Sequence, residues 1–288
     1  MAEEQRKVAV VTGASRGAGK GIAIALGRQG YRVYVTGRTV REGDADLPGT
    51  VGATAQAITD AGGEGIAVQV DHGKDDEVKA LFDRVVQESG AIDILVNNVA
   101  AVKDELVDPA NFWEKPLHLA DILDVGLRSQ YVASYYAAPI MVQAGRGLIA
   151  FTSSFGAVCY MHGAAYGAQK AGVDKMAADM AVDFNGSGVS TVSIWMGPLL
   201  TERAQRTFEA APDEAYQQFA AHAETPEFPG LVIAALAEWE ELASVSGQTL
   251  IAAEIAERLG VKDSNGKQPP SYRAMLGEPR QAHPAIIR

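Results

Sequence analysis

The chain has 288 residues, 47% of them hydrophobic, and a formal net charge of −11. That is enough apolar material for one large core, and the acidic balance argues against a nucleic acid or other polyanionic partner, whose phosphates need clustered Lys and Arg. The single cysteine, Cys159, excludes an intrachain disulfide and a cysteine-based zinc cage; five scattered histidines offer no ligand spacing, and no apolar run approaches the ~20 residues of a membrane span.

The N-terminal MAEEQRK is polar and runs straight into a strand, which leaves no room for a signal peptide and leads to the expectation of a cytoplasmic protein. The first strand, predicted over 7–13 (KVAVVTG), ends in Thr12-Gly13-Ala14-Ser15-Arg16-Gly17-Ala18-Gly19 and the helical GIAIALGRQG. Glycines there let the backbone turn sharply and approach a pyrophosphate, while Ser15, Arg16, Gly17 and Ala18 lead into a helix N-terminus whose free N–H groups attract an anion. A glycine triplet alone is weak; at the first strand-to-helix turn it indicates a dinucleotide site.

The second strand, 31–37, closes on Gly37-Arg38-Thr39. A carboxylate there would hold the ribose 2′-OH of NAD(H); Arg38, with Arg16 nearby, instead suits a 2′-phosphate, so NADP(H) is expected and NAD(H) is the alternative. A helix over 50–61, a strand over 65–71 ending in Asp71, a helix over 74–89 and a strand over 92–98 holding Asn97 follow. Asp71 is placed to receive the adenine amino group and Asn97 to brace the strand, or either simply caps its loop. After the long 100–118 connection, with Phe112 and Trp113, come a helix over 119–144 and a strand over 147–153 that ends in Ser153.

Tyr166 and Lys170, at i and i+4, open a helical pattern over 164–185 and share one face. Carbonyl reduction by hydride needs a proton donor, and a nearby ammonium with a nicotinamide cation could lower a tyrosine pKa from about 10 far enough for it to cycle. Ser153, at a strand's carboxyl end, is placed to hold the substrate oxygen. A strand over 189–195 and a late one over 247–253 complete the alternation, which implies a parallel sheet covered on both faces. Phe155, Cys159, Tyr160, Met161, Met196, Leu199 and Phe208 are expected near a crevice for a bulky, weakly polar carbonyl compound or alcohol.

TGASRGAG, the NNVA at 97–100, Ser153 and Tyr166-GAQ-Lys170 together resemble the short-chain dehydrogenase/reductase family over about residues 6–255. The resemblance implies an α/β fold, a three-layer Rossmann-type doubly wound parallel sheet in a single domain over 1–260. It also implies a substrate lid at about 199–230. After about residue 260 the chain is rich in Pro and charge, which leads to the expectation of a C-terminal extension over 261–288 that lies over a surface or reaches a neighbouring subunit, or of a partly disordered terminus. By the same resemblance Tyr166 is the general acid/base, Lys170 binds the nicotinamide ribose, Ser153 orients substrate, Thr201 meets the carboxamide, and the chain assembles as a homodimer or homotetramer. Gly126 stands where the family has an asparagine, with Asp124 the nearest polar substitute. That departure keeps open a dinucleotide-binding regulatory protein with a decayed site.

Overall fold

The structure, a computed structural model, describes residues 6–209 and 213–288. The reading of the N-terminal MAEEQ and residues 210–212 of the expected lid lie outside the described residues. The strands β1 (Val8–Val11), β2 (Arg32–Gly37), β3 (Glu64–Gln69), β4 (Ile94–Asn97), β5 (Gly147–Ser153), β6 (Val189–Trp195) and β7 (Thr249–Ile251) form one parallel sheet in the order β3-β2-β1-β4-β5-β6-β7. Between them run α1 (Gly17–Arg28), α2 (Val51–Asp60), α3 (Asp75–Ser89), α4 (Asp121–Leu123), α5 (Ser129–Ala144) and α6 (Ala164–Asp183). Helices α7 (Glu202–Phe208), α8 (Asp213–His222) and α9 (Phe228–Ala237) precede β7; α10 (Ala252–Leu259) and α11 (Arg273–Leu276) follow it.

Alternation along the strands feeds two cores. Ala9 and Val11 of β1 pack with Ile22 and Leu26 of α1 and with Phe228 and Val232 of α9. Val8 and Val10 face the other way, onto Val78 and Phe82 of α3, Met141 of α5 and Val173 of α6. Strands buried on both faces are continuously apolar, as these are, and need helices on both sides. Because β4 returns beside β1 after β2 and β3 have been laid outward, the winding reverses between β1 and β4 and leaves a crevice at their carboxyl ends.

The expected helix over 119–144 is broken. Val125 (φ −105°, ψ 77°) and Gly126 (φ 156°) leave helical geometry between α4 and α5, the second a backbone conformation that favours glycine. The kink is held from outside: Gln169 Nε2 donates to the Gly126 carbonyl at 2.6 Å, and Ala101 N to that of Val125 at 2.6 Å. The extension after β7 is docked through most of its length. Ser271 and Arg273 bond Glu254, Asp263 accepts from Thr225 N at 2.8 Å, and Tyr272 and Leu276 pack on a small core around Phe155 and Trp195.

Helix α1 and the start of α9 touch backbone to backbone. A Cβ on Gly21 would lie 2.1 Å from the Pro226 carbonyl, whereas one on Gly52, in the first turn of α2, would meet nothing nearer than 3.9 Å. Gly21→Ala is expected to destabilise the fold by about 1–3 kcal/mol through overpacking, and Gly52→Ala to stabilise it by about 0.5–1 kcal/mol. Thermal unfolding of the two variants reads the contrast; equal shifts would contradict this packing.

Candidate active site

The turn after β1 is tight enough that a Cβ on Gly19 would strike the Gly13 carbonyl at 2.3 Å and one on Gly13 the Val99 Cα at 2.7 Å. Asn98 clamps it from β4, its Nδ2 donating to the Thr12 and Gly13 carbonyls at 2.9 and 3.1 Å. The first amide of α1, Gly17 N, donates to the Glu202 carboxylate at 2.8 Å, and Lys20 lies 3.7 Å from the same side chain. An anion thus already stands on the helix N-terminus, where backbone N–H groups and the helix dipole favour one. This cradle of small residues and free amides fits a pyrophosphate.

Arg16 donates to Thr39 Oγ1 at 3.0 Å and to the Pro48 and Gly49 carbonyls at 3.1 and 3.0 Å. Burial, opposed by the Glu202 and Glu42 carboxylates and assisted by repulsion from Arg38, lowers its pKa. Arg16, Arg38 and Thr39 therefore share one corner past the end of β2. Arg38 is exposed and lines a cavity of about 610 Å³ with Asp71, Lys74 and Arg84. Asp71 Oδ1 caps the next turn by accepting from Gly73 N at 3.0 Å, and buried Asn97 donates to Ser134 Oγ at 2.9 Å, tying β4 to α5. Thr201 Oγ1 caps α7, its methyl beside Gly17.

The hydroxyl beside Tyr166 belongs to Ser154, not Ser153. Ser154 Oγ and Tyr166 Oη share a hydrogen bond of 2.9 Å. Ser153 is fully buried under α6, its Oγ donating to the Lys170 carbonyl at 3.3 Å. The reason is strand alternation: Ser153 is the last residue of β5 and points at the helix, whereas Ser154 has left the strand, accepts from Gly156 N at 3.2 Å and swings its side chain to the crevice.

Lys170 is buried, donates to the Thr152 carbonyl at 3.2 Å and sits 5.4 Å from the Tyr166 ring centroid. Burial lowers its pKa to about 8, against the attraction of Asp174. Burial raises the pKa of Tyr166, partly offset by the bond to Ser154. His162, held at φ 56°, stacks edge-on against Tyr166 at 4.9 Å, and burial with the charges of Lys115 and Lys170 lowers its pKa. At the expected asparagine position, the space beside Gly126 is taken by Ala100 and Gln169, each 3.4 Å from where a Cβ would be. Asp124 is exposed and stands outside the site, beside Arg128.

On the substrate side the expectations divide. Phe155 is buried against Trp195 (5.0 Å) and Tyr272 (6.3 Å) and supports the Ser154 turn from behind. Met161 and Cys159 pack against the same core. Tyr160 is exposed and, with Leu106, Pro109, Lys115 and His162, lines a cavity of about 370 Å³. Met196 and Leu199 are half-buried at the base of the lid, Phe208 packs with Tyr216 and Phe219 inside it, and Phe112 and Trp113 are exposed. Arg203 and Arg206 of α7 both pair with Asp104, so α7 is tied to the 100–118 connection on one side and to the glycine turn on the other. Buried Glu224 fastens the lid's two ends, accepting from Gly197 N at 3.0 Å while its own backbone bonds Pro198 and Leu200.

Comparison with known proteins agrees with this geometry. The family described as short chain dehydrogenase matches residues 7–212. The chain is 38% identical over 282 residues to dehydrogenase/reductase SDR family member 1 of Mus musculus, covering 94% of this chain and 88% of that protein. To the Homo sapiens protein of the same name it is 39% identical over 279 residues (93% and 87%). It is 30% identical over 213 residues (74% and 83%) to a 3-oxoacyl-[acyl-carrier-protein] reductase FabG of Staphylococcus epidermidis. A crystal structure of a protein from Xanthomonas campestris superposes with a TM-score of 0.77 at 27% identity, over 92% of this chain and 94% of that one.

Glu224 generates a pH prediction. Burial, opposed by the Gly197 amide and helped by Asp263, raises its pKa from 4.5 to about 8. The folded protein therefore keeps a proton that the unfolded chain releases above about 4.5, and stability falls as pH rises from there to about 8. Glu224→Gln keeps an acceptor for Gly197 N without the buried charge, so it is expected to raise the unfolding midpoint at pH 8 and to flatten its pH dependence. A lowered midpoint at pH 8 would show that the carboxylate itself is required.

Proposed function

The chain belongs to the short chain dehydrogenase family of oxidoreductases, and on that premise we propose that it is an NADP(H)-dependent enzyme interconverting a bulky, weakly polar ketone or aldehyde and its alcohol. The observation that carries this reading is the 2.9 Å bond between Ser154 and Tyr166 beside a buried lysine, at the carboxyl end of β5 and next to a glycine turn. NADP(H), when bound, supplies or accepts the hydride. Ser154 Oγ and Tyr166 Oη hold the carbonyl oxygen, and Tyr166 gives up its proton as negative charge gathers there. Burial raises the Tyr166 pKa, and the positive charges of Lys170 and of a bound nicotinamide would act against that rise.

Gly13, Ser15, Gly17, Ala18 and Gly19 hold the pyrophosphate. Arg16, Arg38 and Thr39 receive the 2′-phosphate, and this corner offers no carboxylate from the end of β2 for the ribose of NAD(H). Asp71 lies at the adenine, Asn97 braces the nicotinamide side, Thr201 meets the carboxamide and Lys170 the ribose hydroxyls. Tyr160, Met161, Met196 and Leu199 border the substrate, whose apolar character is supported by the exposed Tyr160 beside His162. The exposed Tyr131, Tyr135 and Val142 on α5 support a homodimer or homotetramer, acting in the cytoplasm.

Tyr166→Phe is expected to bind NADPH normally and to lose carbonyl reduction by about 10²–10⁴-fold; near-normal turnover would refute the proton-donor role. Ser154→Ala is expected to cost turnover well beyond Ser153→Ala, measured with the same ketone, and the reverse order would return the role to Ser153. Arg16→Ala is expected to weaken NADPH about ten- to hundredfold while leaving NADH alone, and Arg38→Asp to shift preference toward NADH. Equal losses for both cofactors would contradict the 2′-phosphate assignment.

A further inference from the structure

One turn beyond Lys170 on α6 stands Asp174, a residue the reaction itself does not use. Its carboxylate is partly buried against β6, where Ser193 Oγ donates to Oδ1 at 2.5 Å and the Trp195 indole Nε1 donates to Oδ2 at 2.9 Å. Trp195 is fully buried and packs on Phe155, next to Ser154. Lys170 meanwhile bonds β5, through its Nζ to the Thr152 carbonyl and through its own carbonyl to Ser153 Oγ. Residues four apart on a helix share a face, so the buried ammonium and the carboxylate lie along one side of α6, each fixed to a different strand of the same β5–β6 pair.

We propose that Asp174 is a positioning residue for the Tyr166–Lys170 pair: it clamps α6 to β6 and supplies the countercharge that keeps the buried Lys170 protonated. This rests on the reading of Tyr166 and Lys170 given above. A lysine taken out of water tends to lose its proton unless an anion compensates. Among the described residues, the titratable groups around this ammonium are Tyr166 on the same helix, His162 on the preceding turn, Cys159 facing Tyr166 from the loop after β5, and Asp174. The nearest groups on β5 are the Thr152 carbonyl and Ser153, and those on β6 are Ser193 and the Trp195 indole, all uncharged. Asp174 is the group whose attraction opposes the loss of the proton. Its own carboxyl is raised by burial, and the donors from Ser193, Ser153 and Trp195, with the charge of Lys170, work to hold it ionised.

The test follows the titration of Lys170 directly, by NMR of ε-carbon-labelled lysine in the full-length protein with the resonance assigned by Lys170→Arg. Asp174→Asn, nearly the same size, is expected to lower the midpoint from about 8 by about one unit. Asp174→Ser, smaller and equally uncharged, is expected to give the same shift, whereas Ser193→Ala, which loosens the clamp and keeps the charge, leaves the midpoint in place. The fraction of charged lysine at pH 8 then falls from about one half to about one tenth, so NADPH-dependent turnover by Asp174→Asn drops about fivefold at pH 8 and its high-pH limb moves to lower pH. An unchanged midpoint in Asp174→Asn, or an equal fall in Ser193→Ala, overturns the proposal. A shifted midpoint in a protein that reduces no carbonyl compound sinks the proposed function alone.

Discussion

An ammonium group enclosed at the carboxyl edge of the sheet is the constraint around which the crevice is arranged. Lys170 is buried on α6 with the Thr152 backbone carbonyl as a close partner, and burial brings its pKa to about 8, within reach of neutrality. A charge in that position is tolerable only where the surrounding dipoles and anions are fixed. Thr152 offers its carbonyl because β5 ends there, Ser153 pins the helix backbone above it, and Asp174 stands one turn away. The same packing sets Tyr166 one turn before Lys170 and within hydrogen-bonding distance of Ser154. Proton chemistry and helix packing are here one set of contacts.

The segment around α7 is held by ion pairs and hydrogen bonds rather than by apolar burial. Glu202 rests on the first amide of α1, Arg203 and Arg206 pair with Asp104, and Glu224 joins the backbone after β6 through Gly197. None of the α7 residues is buried. A segment with few buried apolar contacts keeps a low local stability. The β-sheet, by contrast, is buried between two large apolar cores.

Much of this was legible in the sequence because strong local patterns coincide with the global fold. Each expected strand is present within a few residues of its expected limits, including the late one, and Tyr166 and Lys170 share a face of α6 as their i, i+4 spacing requires. The sequence points to Ser153, whereas the hydroxyl bonded to Tyr166 is that of Ser154, since adjacent residues at a strand end point to opposite faces and the sequence SS does not say where the strand stops. The 119–144 helix was read as continuous because apolar periodicity runs through the break; Gly126 was its only local sign, and the contact that holds it comes from Gln169, 43 residues away. Phe155 was assigned to the crevice on its chemistry, while its partners Trp195 and Tyr272 come from β6 and the extension, a placement no local pattern reveals. Asn98, Glu202 and Glu224 escaped notice for the same reason: each acts through a distant backbone amide or carbonyl. Asp174 did leave a signal, an acid at i+4 from the lysine.

The most direct test of the account is isotopic. Purified protein is given NADPH carrying deuterium at the transferable nicotinamide position together with a bulky apolar ketone, and the alcohol is analysed by mass spectrometry. The account predicts deuterium on the carbinol carbon with the wild-type protein, little or none with Tyr166→Phe under the same NADPH saturation, and far less from labelled NADH. Saturating NADPH binding with no deuterium delivered to any ketone or aldehyde in a broad panel would contradict it.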